Sequence, residues 1–237
     1  MKVKQIDKLI IVLLLLMIFS LNYSTIDSWL SNLVHERETA VVSRIIDGDT
    51  IETSEGINIR LLGINTPERG EWLYKEAKEY LSGILLNKSV ELEFGKEKRD
   101  KYNRTLAYVF LNDENVNAKM IEKGFANYYF YSGQEVYGND LVKAWEICLD
   151  NRINLCESSD NLCKSCISIN TNIIINNCQF SCDITNWTIK NEGREKIIFN
   201  QTLNRNAAAE FNLDLSNSGG TIFLWDNQHG LVLWKKF

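Results

Sequence analysis

Proline is almost absent from this sequence: its 237 residues contain one, Pro67, within LLGINTPER (61–69). A proline removes a backbone N–H donor and keeps the preceding residue out of the helical region. The sequence therefore predicts a loop of fixed shape that holds Asn65, Thr66 and Glu68 in place. Three polar side chains in such a loop, after an apolar run, are candidates for half of an active site.

Histidine is scarce as well, with His35 and His229 as the two examples. A histidine triad, a two-histidine zinc hydrolase or a ββα-metal nuclease would need more imidazole than this chain offers. Any catalysis must therefore come from carboxylates, arginines and a hard metal ion.

An excess of positive charge is also missing: 26 lysines and arginines face 31 acidic residues, a net charge of −5. Nucleic-acid binders usually present a basic face, so this chain must concentrate its cations locally to have one. The segment GKEKRDKYNR (95–104) does so, with five basic and two acidic residues, a net +3. An ordinary solvated loop is the alternative for such a run. The composition, 45% hydrophobic and 11% aromatic, is that of a globular protein with a core.

A long apolar run occurs at the N-terminus. Three lysines precede residues 9–21, which are apolar apart from one serine. This pattern predicts a signal peptide or a signal-anchor helix over residues 1–23, because a full membrane span needs about 20 apolar residues. The basic head places the N-terminus in the cytoplasm and the rest outside. We therefore expect an exported chain, membrane-anchored facing outside or secreted after cleavage, with a polar stalk over 24–38.

All six cysteines lie between Cys148 and Cys182. An even number in an exported chain favours disulfides, whose pairing the sequence does not resolve. The spacing of Cys163-x2-Cys166 and Cys178-x3-Cys182 would also seat zinc, so both interpretations stay open.

Strand and helix patterns are interleaved up to Cys156. Short turn signals near Asp47 and Glu55 require antiparallel pairing of the strands that they join. A small curved barrel with helices packed on it is therefore expected. The predicted strands cover 40–46, 57–63, 89–94 and 104–111, and the predicted helices cover 71–88, 116–124 and 141–153.

Four segments of this region carry residues suited to chemistry. IIDGDT places Asp47 and Asp49 on a tight glycine turn, and IRLLGINTPE places Arg60 on a strand before the proline loop. DKYNRTLAYVF brings Arg104 into the next strand, and VNAKMIEKGFANYY gives a helix followed by aromatics. In order, spacing and residue types these segments resemble the staphylococcal nuclease (thermonuclease) family. The resemblance implies an α+β fold, an OB-fold barrel with packed helices, over residues 39–156.

The same residues can be assigned roles from chemistry. Hydrolysis of a phosphodiester needs a neutralised phosphate, a deprotonated water and stabilised transition-state charge. Arg60 and Arg104 are suited to bidentate hydrogen bonds with non-bridging phosphate oxygens, and Glu68 is suited to act as the general base. Asp49 and residues 65–66 offer hard oxygen ligands for Ca²⁺. The resemblance implies the same assignment: Arg60, Glu68 and Arg104 catalytic, and Asp49, Asn65 and Thr66 metal-binding with Asp47 beside them.

Substrate contacts are expected from Lys101 and Tyr102 in the charged segment and from Tyr129 and Tyr131 in the aromatic one. Exposed tyrosines stack on bases in single-strand binders, whereas core packing is the alternative for the second pair. Because backbone contacts carry no sequence information, we expect little sequence preference. The resemblance also implies attack on the 5′-oxygen side, with 3′-phosphate products.

Two positions depart from the family pattern. Asn65 stands where an aspartate is usual, which keeps a carbonyl ligand but removes a negative charge, and calcium affinity follows ligand charge. Asn103 stands where a glycine is usual, and asparagine tolerates a left-handed backbone.

After Cys156 the pattern changes to short apolar segments with Asn and Gly turns and no helical period. It predicts an all-β domain over residues 165–237, following a cysteine-containing linker at 157–164. DITNWTIKNEGREKIIF and TIFLWDNQHGLVLW resemble lamin-tail-type domains, an immunoglobulin-like sandwich. This resemblance implies binding or anchoring on DNA, protein or an envelope polymer; a domain that only caps the first one is the alternative.

The leading hypothesis is an exported, calcium-dependent endonuclease without sugar specificity. It would act on single-stranded or denatured DNA and RNA, contact the membrane through its N-terminal segment and meet a surface or envelope partner through its C-terminal domain. A catalytically weak nucleic-acid-binding or surface-anchoring module is the alternative that Asn65 favours, and a purely structural envelope protein is the third.

Overall fold

The computed structural model describes residues 37–130, 136–215 and 220–237. The predicted signal segment (1–23), nearly all of the predicted stalk and Tyr131 lie outside these residues. Among the described residues, no helix has the length and apolar character needed to cross a membrane.

Among the described residues up to Cys156, which we call the first part, the chain forms eight strands and three α-helices. The four predicted strands and the three predicted helices are present with shifted ends, and four further short strands occur. The strands are β1 (Glu38–Ile45), β2 (Thr50–Thr53), β3 (Asn58–Leu61), β4 (Ile64–Asn65), β5 (Ser89–Arg99), β6 (Thr105–Leu111), β7 (Glu114–Asn115) and β8 (Asn127–Tyr128), and the helices are α1 (Tyr74–Leu85), α2 (Val116–Glu122) and α3 (Gly138–Asn151).

Six of these strands form one sheet, in the order β3-β2-β1-β5-β6-β7, and a parallel pairing of β3 with β6 closes this sheet into a barrel. Strands β4 and β8 pair with each other in a separate two-stranded sheet. The β1–β2 and β2–β3 pairs are antiparallel, as the short turns predicted. The β1–β2 turn is tied by Ile46 N donating to Thr50 O at 2.9 Å. This is the expected small barrel with helices packed on it, and it fits an OB fold of the staphylococcal nuclease type.

Two element ends differ from the prediction for local reasons. Helix α1 begins at Tyr74 rather than at residue 71, because Leu73 has a left-handed φ of 65° that a continuing helix cannot contain. Strand β5 continues through the charged segment to Arg99, which pairs with Thr105. The solvated part of that segment is therefore a short loop.

The second part of the chain is all β, as predicted. After a 3₁₀ turn at Asn154–Cys156, its elements are a second 3₁₀ turn at Leu162–Ser165, then β9 (Ile167–Asn170), β10 (Ile173–Asn176), β11 (Cys182–Asp183), β12 (Thr188–Asn191), β13 (Lys196–Ile198), β14 (Thr202–Leu203), β15 (Ala208–Glu210), β16 (Thr221–Trp225) and β17 (Leu231–Lys236). These strands form the sheets β15-β10-β9, β11-β14 and β13-β12-β16-β17, with a cluster of buried side chains of their own around Trp187 and Ile189.

The six cysteines form three disulfides, which confirms the disulfide interpretation and corrects the zinc alternative. Every sulfur of the proposed zinc spacing is bonded to another sulfur, so no thiolate remains to bind a metal. The pairs are Cys148–Cys156, Cys163–Cys182 and Cys166–Cys178.

The two parts share a core. Phe223, Trp225 and Leu231 of the second part are buried in the hydrophobic cluster of the barrel. The Trp225 indole Nε1 donates to Leu155 O at 2.8 Å. Residues 38–237 accordingly form one compact unit. The domain boundaries derived from the sequence stay a prediction.

Candidate active site

The glycine turn and the proline loop meet at Asp49. Asp49 is buried, and its Oδ2 accepts hydrogen bonds from Thr66 N at 3.1 Å and Thr66 Oγ1 at 3.0 Å. A Cβ on Gly48 would lie 2.9 Å from Thr66 Oγ1, so only glycine lets the two segments approach this closely. Asp49 N in turn donates to Asp47 Oδ1 at 3.1 Å. Both predicted carboxylates therefore sit against the predicted loop.

The two carboxylates are held in different protonation environments. Burial, followed by the neighbouring Asp49 charge, raises the pKa of Asp47 to about 6. Burial also works to raise the pKa of Asp49, but Arg60 and the Thr66 hydrogen bonds outweigh it and hold that pKa below its usual value. Asp49 is therefore stabilised as a carboxylate by its neighbours, whereas burial favours the protonated form of Asp47.

Arg60 lies on β3 and is fixed by the loop that follows it. Its Nη1 donates to Leu61 O at 2.6 Å, its Nη2 donates to Ile64 O at 2.9 Å, and Nη2 is also 2.9 Å from Asp49 Oδ2. Burial lowers the pKa of this guanidinium, Asp49 opposes the shift, and the nearby charges of Arg104 and Arg194 add to it. Three guanidinium groups therefore act on one region, which favours an anion there.

Arg104 is oriented by Asp100 at the start of β6. The Arg104 Nε and Nη2 atoms both lie 2.7 Å from Asp100 Oδ2, and Asp100 Oδ1 accepts from the backbone N–H groups of Tyr102 and Arg104. The guanidinium lies over the Tyr102 ring at 5.4 Å, and Lys101 Nζ lies 5.2 Å from the same ring. Asn103 has a left-handed φ of 64°, the conformation expected where the family has glycine.

Most predicted site residues line one cleft of 660 Å³. Tyr102 stands at this cleft with 63% of its surface exposed. Glu68 is not itself part of the lining, but it is paired with Arg194, which is. The Arg194 Nε atom lies 2.7 Å from Glu68 Oε1. The predicted residues in the lining are Arg60, Asn65, Lys101, Tyr102, Arg104 and Tyr129.

Sequence reasoning missed the second part's contribution to this cleft. The turn between β12 and β13 carries Arg194 and Glu195 into the lining, and Lys196 pairs with Glu71 beside the proline loop. Lys190 on β12 is buried, which lowers its pKa, while Glu71 and Glu68 oppose the shift. The sequence feature that could have indicated this contribution is the charged run NEGREK (191–196), but such a run is equally typical of a solvent-exposed turn.

Comparisons with known proteins agree with this geometry. The family described as staphylococcal nuclease homologue matches residues 58–157. A thermonuclease of Staphylococcus intermedius is 35% identical over 129 residues, covering 51% of this chain and 77% of that protein. A thermonuclease of Staphylococcus hyicus is 36% identical over 116 residues, covering 45% of this chain and 69% of that protein. An uncharacterized endonuclease of Haemophilus influenzae is 32% identical over 138 residues, with 56% and 72% covered.

These matches and the arginine-lined cleft define a nuclease, a hydrolase of nucleic-acid phosphodiester bonds. The chain belongs to the staphylococcal nuclease homologue family.

The thermonuclease relatives imply a divalent metal cofactor in general, and the donor set fits one. Asp47 and Asp49 offer carboxylate oxygens, and Asp47, which precedes the glycine turn, accepts a hydrogen bond from Asp49 N at 3.1 Å, so the two carboxylates lie beside each other. Burial first, and the Asp49 charge second, raise the pKa of Asp47, and a cation between the two carboxylates would offset the second of these effects. The Asn65 amide nitrogen donates to Gly193 O at 2.8 Å, which leaves the Asn65 carbonyl oxygen as its ligand atom. Hard oxygen ligands of this kind suit Ca²⁺ and Mg²⁺.

Proposed function

We propose that this nuclease is a calcium-dependent endonuclease that hydrolyses single-stranded or denatured DNA and RNA without sugar specificity. The observation that carries the proposal is the convergence of Arg60 and Arg104 on one cleft, with Glu68 beside it. Paired guanidinium groups match the non-bridging oxygens of a phosphodiester, which DNA and RNA share.

The protein's own groups would act in sequence on water and phosphate. Glu68, whose side chain is 43% exposed, accepts the proton from a water molecule that attacks phosphorus. Arg60 is fixed by its backbone contacts, so it meets the phosphate without rearranging. Arg104 exchanges part of its pairing with Asp100 for the phosphate and stabilises the charge that develops. As the water oxygen bonds to phosphorus, the bond from phosphorus to the 5′-oxygen breaks, and the 5′-oxygen leaves and takes up a proton from solvent. The products are a 5′-hydroxyl end and a 3′-phosphate end.

The metal would be held by Asp49, Asn65 and Thr66, with Asp47 beside them. When bound there, a divalent cation supplies positive charge that offsets the charge of the phosphate. Calcium is the candidate because extracellular oxygen-ligand sites work at roughly 10⁻⁴ to 10⁻³ M calcium, a range that tolerates the charge missing at Asn65.

Export and the second part's fold belong to the same proposal. The basic head and apolar run at 1–23 support export, with the membrane reached through that segment. The all-β topology and the single cluster of buried side chains around Trp187, to which both β9-β10 and β12-β16 contribute, support an immunoglobulin-like sandwich of the lamin-tail type. A surface or envelope component is the partner that such a domain would bind.

The test uses the full chain with heat-denatured DNA and RNA in millimolar calcium, with and without chelator. We expect calcium-dependent cleavage, and a loss of about 100-fold or more in kcat for Glu68→Gln. Glu79→Gln on the exposed face of α1 is the matched control and should cleave as wild type does. Cleavage that persists in Glu68→Gln, or in chelator, would contradict the proposed roles.

A binding module is the second candidate, and one observation favours it. Asp49 is paired with Arg60 and Arg104 with Asp100, so part of the site's charge is already neutralised within the protein. Salt-dependent binding of denatured DNA without turnover in any divalent metal would establish this candidate.

A further inference from the structure

The charged turn of the second part (residues 191–196, NEGREK) lies on the active site of the first. We propose that this charged turn is a component of the active site, in which Arg194 is a positioning residue for Glu68. The inference rests on the proposed function, because it assigns a role to a residue that acts through the general base.

The charged turn is docked on the barrel by two neighbouring asparagine side chains. Asn65 Nδ2 donates to Gly193 O at 2.8 Å, and Asn127 Nδ2 donates to Glu192 O at 2.8 Å. Both asparagines are buried, at 1% exposure each, and they pair with each other across β4 and β8. Buried amides that both donate to one turn fix its backbone against the cleft.

Docking explains the asparagine at position 65. An aspartate there would turn a carboxylate oxygen toward the Gly193 carbonyl, and two acceptors at 2.8 Å repel because neither has a proton to share. The missing negative charge at the proposed metal site is therefore a consequence of docking the charged turn, since an amide can donate to Gly193 and still offer an oxygen to a cation, whereas an ionised carboxylate cannot donate.

The charged turn also holds the proline loop through ion pairs. Arg194 Nε lies 2.7 Å from Glu68 Oε1. Lys196 Nζ pairs with Glu71 Oε1, and Glu71 Oε2 accepts from the Glu68 backbone N–H at 2.8 Å. The backbone and the side chain of Glu68 are thus both restrained by cations of the second part.

This geometry orients Glu68 rather than blocking it. Arg194 engages one carboxylate oxygen, so Oε2 keeps its lone pairs for a water molecule. Both side chains remain about half exposed, at 52% for Arg194 and 43% for Glu68. Arg194 also adds its guanidinium to the cleft that Arg60, Arg99 and Arg104 line. A fixed carboxylate meets the attacking water in a narrower range of angles, which raises the rate of the chemical step.

The experiment compares Arg194→Ala and Arg194→Lys with wild type, using the full chain, calcium and denatured DNA. We expect Arg194→Ala to lower kcat by about 10- to 100-fold, with KM changed less than about threefold and the thermal unfolding midpoint unchanged. Arg194→Lys, or guanidinium ion added to Arg194→Ala, should restore part of kcat. Arg205→Ala removes an exposed arginine of the same part that does not line the cleft and should behave as wild type.

A double-mutant cycle separates positioning from other effects. If Arg194 acts through Glu68, Arg194→Ala should cost little further activity in the Glu68→Gln background. Three outcomes would overturn the inference: additive losses in the cycle, an unchanged kcat in Arg194→Ala, or the loss of its thermal unfolding transition. A raised kcat in Arg194→Ala would overturn it as well, because the contact would then hold Glu68 in an unproductive position. If wild type itself does not cleave, the proposed function fails, and this inference fails with it. If wild type cleaves, Glu68→Gln does not and Arg194→Ala cleaves as wild type does, the inference alone is refuted.

Discussion

At the scale of single residues, the two ends of the Asn65 amide have different roles in our proposals. The nitrogen donates to Gly193 O of the charged turn, and the oxygen is a proposed metal ligand. An aspartate would strengthen metal binding by the oxygen and abolish the hydrogen bond to Gly193. The two effects on stability can be measured separately, because adding or removing metal changes only the first.

We predict that Asn65→Asp lowers the free energy of unfolding by about 1 to 3 kcal/mol without metal, because a carboxylate then faces a carbonyl. Millimolar calcium should recover more stability in this variant than in wild type, since the added charge strengthens the site. Chemical denaturation with calcium and with chelator measures both effects.

Asn127→Asp is the matched control for this prediction. Asn127 makes the same kind of contact, to Glu192 O, but is not among the metal donors. It should lose similar stability and recover none of it with calcium. Equal recovery in both variants would remove Asn65 from the metal site.

At the scale of elements, the end of α3 is tied back to the barrel. The disulfide Cys148–Cys156 closes a short loop over the 3₁₀ turn. Leu155 N donates to Gly124 O at 3.1 Å and Asn154 Nδ2 donates to Lys123 O at 2.8 Å. A Cβ on Gly124, which has a left-handed φ of 69°, would lie 2.5 Å from Ile153 O, so glycine is required there on both counts.

We predict that the double substitution Cys148→Ala with Cys156→Ala lowers the free energy of unfolding by about 2.5 kcal/mol. The reason is that the unfolded chain regains the conformational entropy of the opened loop. Urea denaturation gives the free energy, and amide exchange in α3 should speed up as its end frays.

Cys166→Ala with Cys178→Ala serves as the comparison for that element. It opens a disulfide of the second part and should leave exchange in α3 unchanged at matched stability. An unfolding free energy equal to that of wild type in the first double variant would contradict the assignment of a stabilising role.

At the scale of the whole molecule, the two parts are joined by shared burial. Tyr128 on β8 lies in the barrel core, and its hydroxyl is 3.0 Å from Thr221 Oγ1 on β16. Phe223 and Trp225 of the same strand pack into that core. The second part is therefore held to the barrel by apolar burial as well as by the charged turn.

This junction predicts a loss of stability at alkaline pH. Burial raises the pKa of Tyr128 to about 12, while the Thr221 hydrogen bond opposes the shift. In the unfolded chain the tyrosine ionises near its ordinary pKa of 10.0, so the free energy of unfolding falls as pH rises from about 10 to 12, by about 1.4 kcal/mol for each pH unit.

Tyr128→Phe tests this linkage in chelator. Wild type should be more stable by about 1 kcal/mol at pH 8, because of the hydrogen bond, and should lose that advantage by pH 11. A constant difference for Tyr128→Phe would refute the prediction.

Spacing along the chain predicted the barrel and the grouping of several candidate site residues, whose roles stay a prediction. The glycine turn, the proline loop and the charged segment each place their functional side chain within a few residues of a strand. Arg60, Asn65 and Arg104 therefore reach one cleft as expected. Even the left-handed backbone at Asn103 follows from local sterics. Helix α1 was placed too early because nothing in the pattern indicates the left-handed Leu73.

The sequence by itself thus determined the family, the strand and helix pattern and the residues of the barrel's cleft, because local spacing and turn chemistry carry that information. Only the tertiary structure decided the cysteine pairing, the shared core and the place of the charged turn. The contact from Asn65 to Gly193 joins residues 128 positions apart. No periodicity encodes such a contact, since it depends on how two independently patterned parts pack, and packing is decided by the shapes of their buried faces.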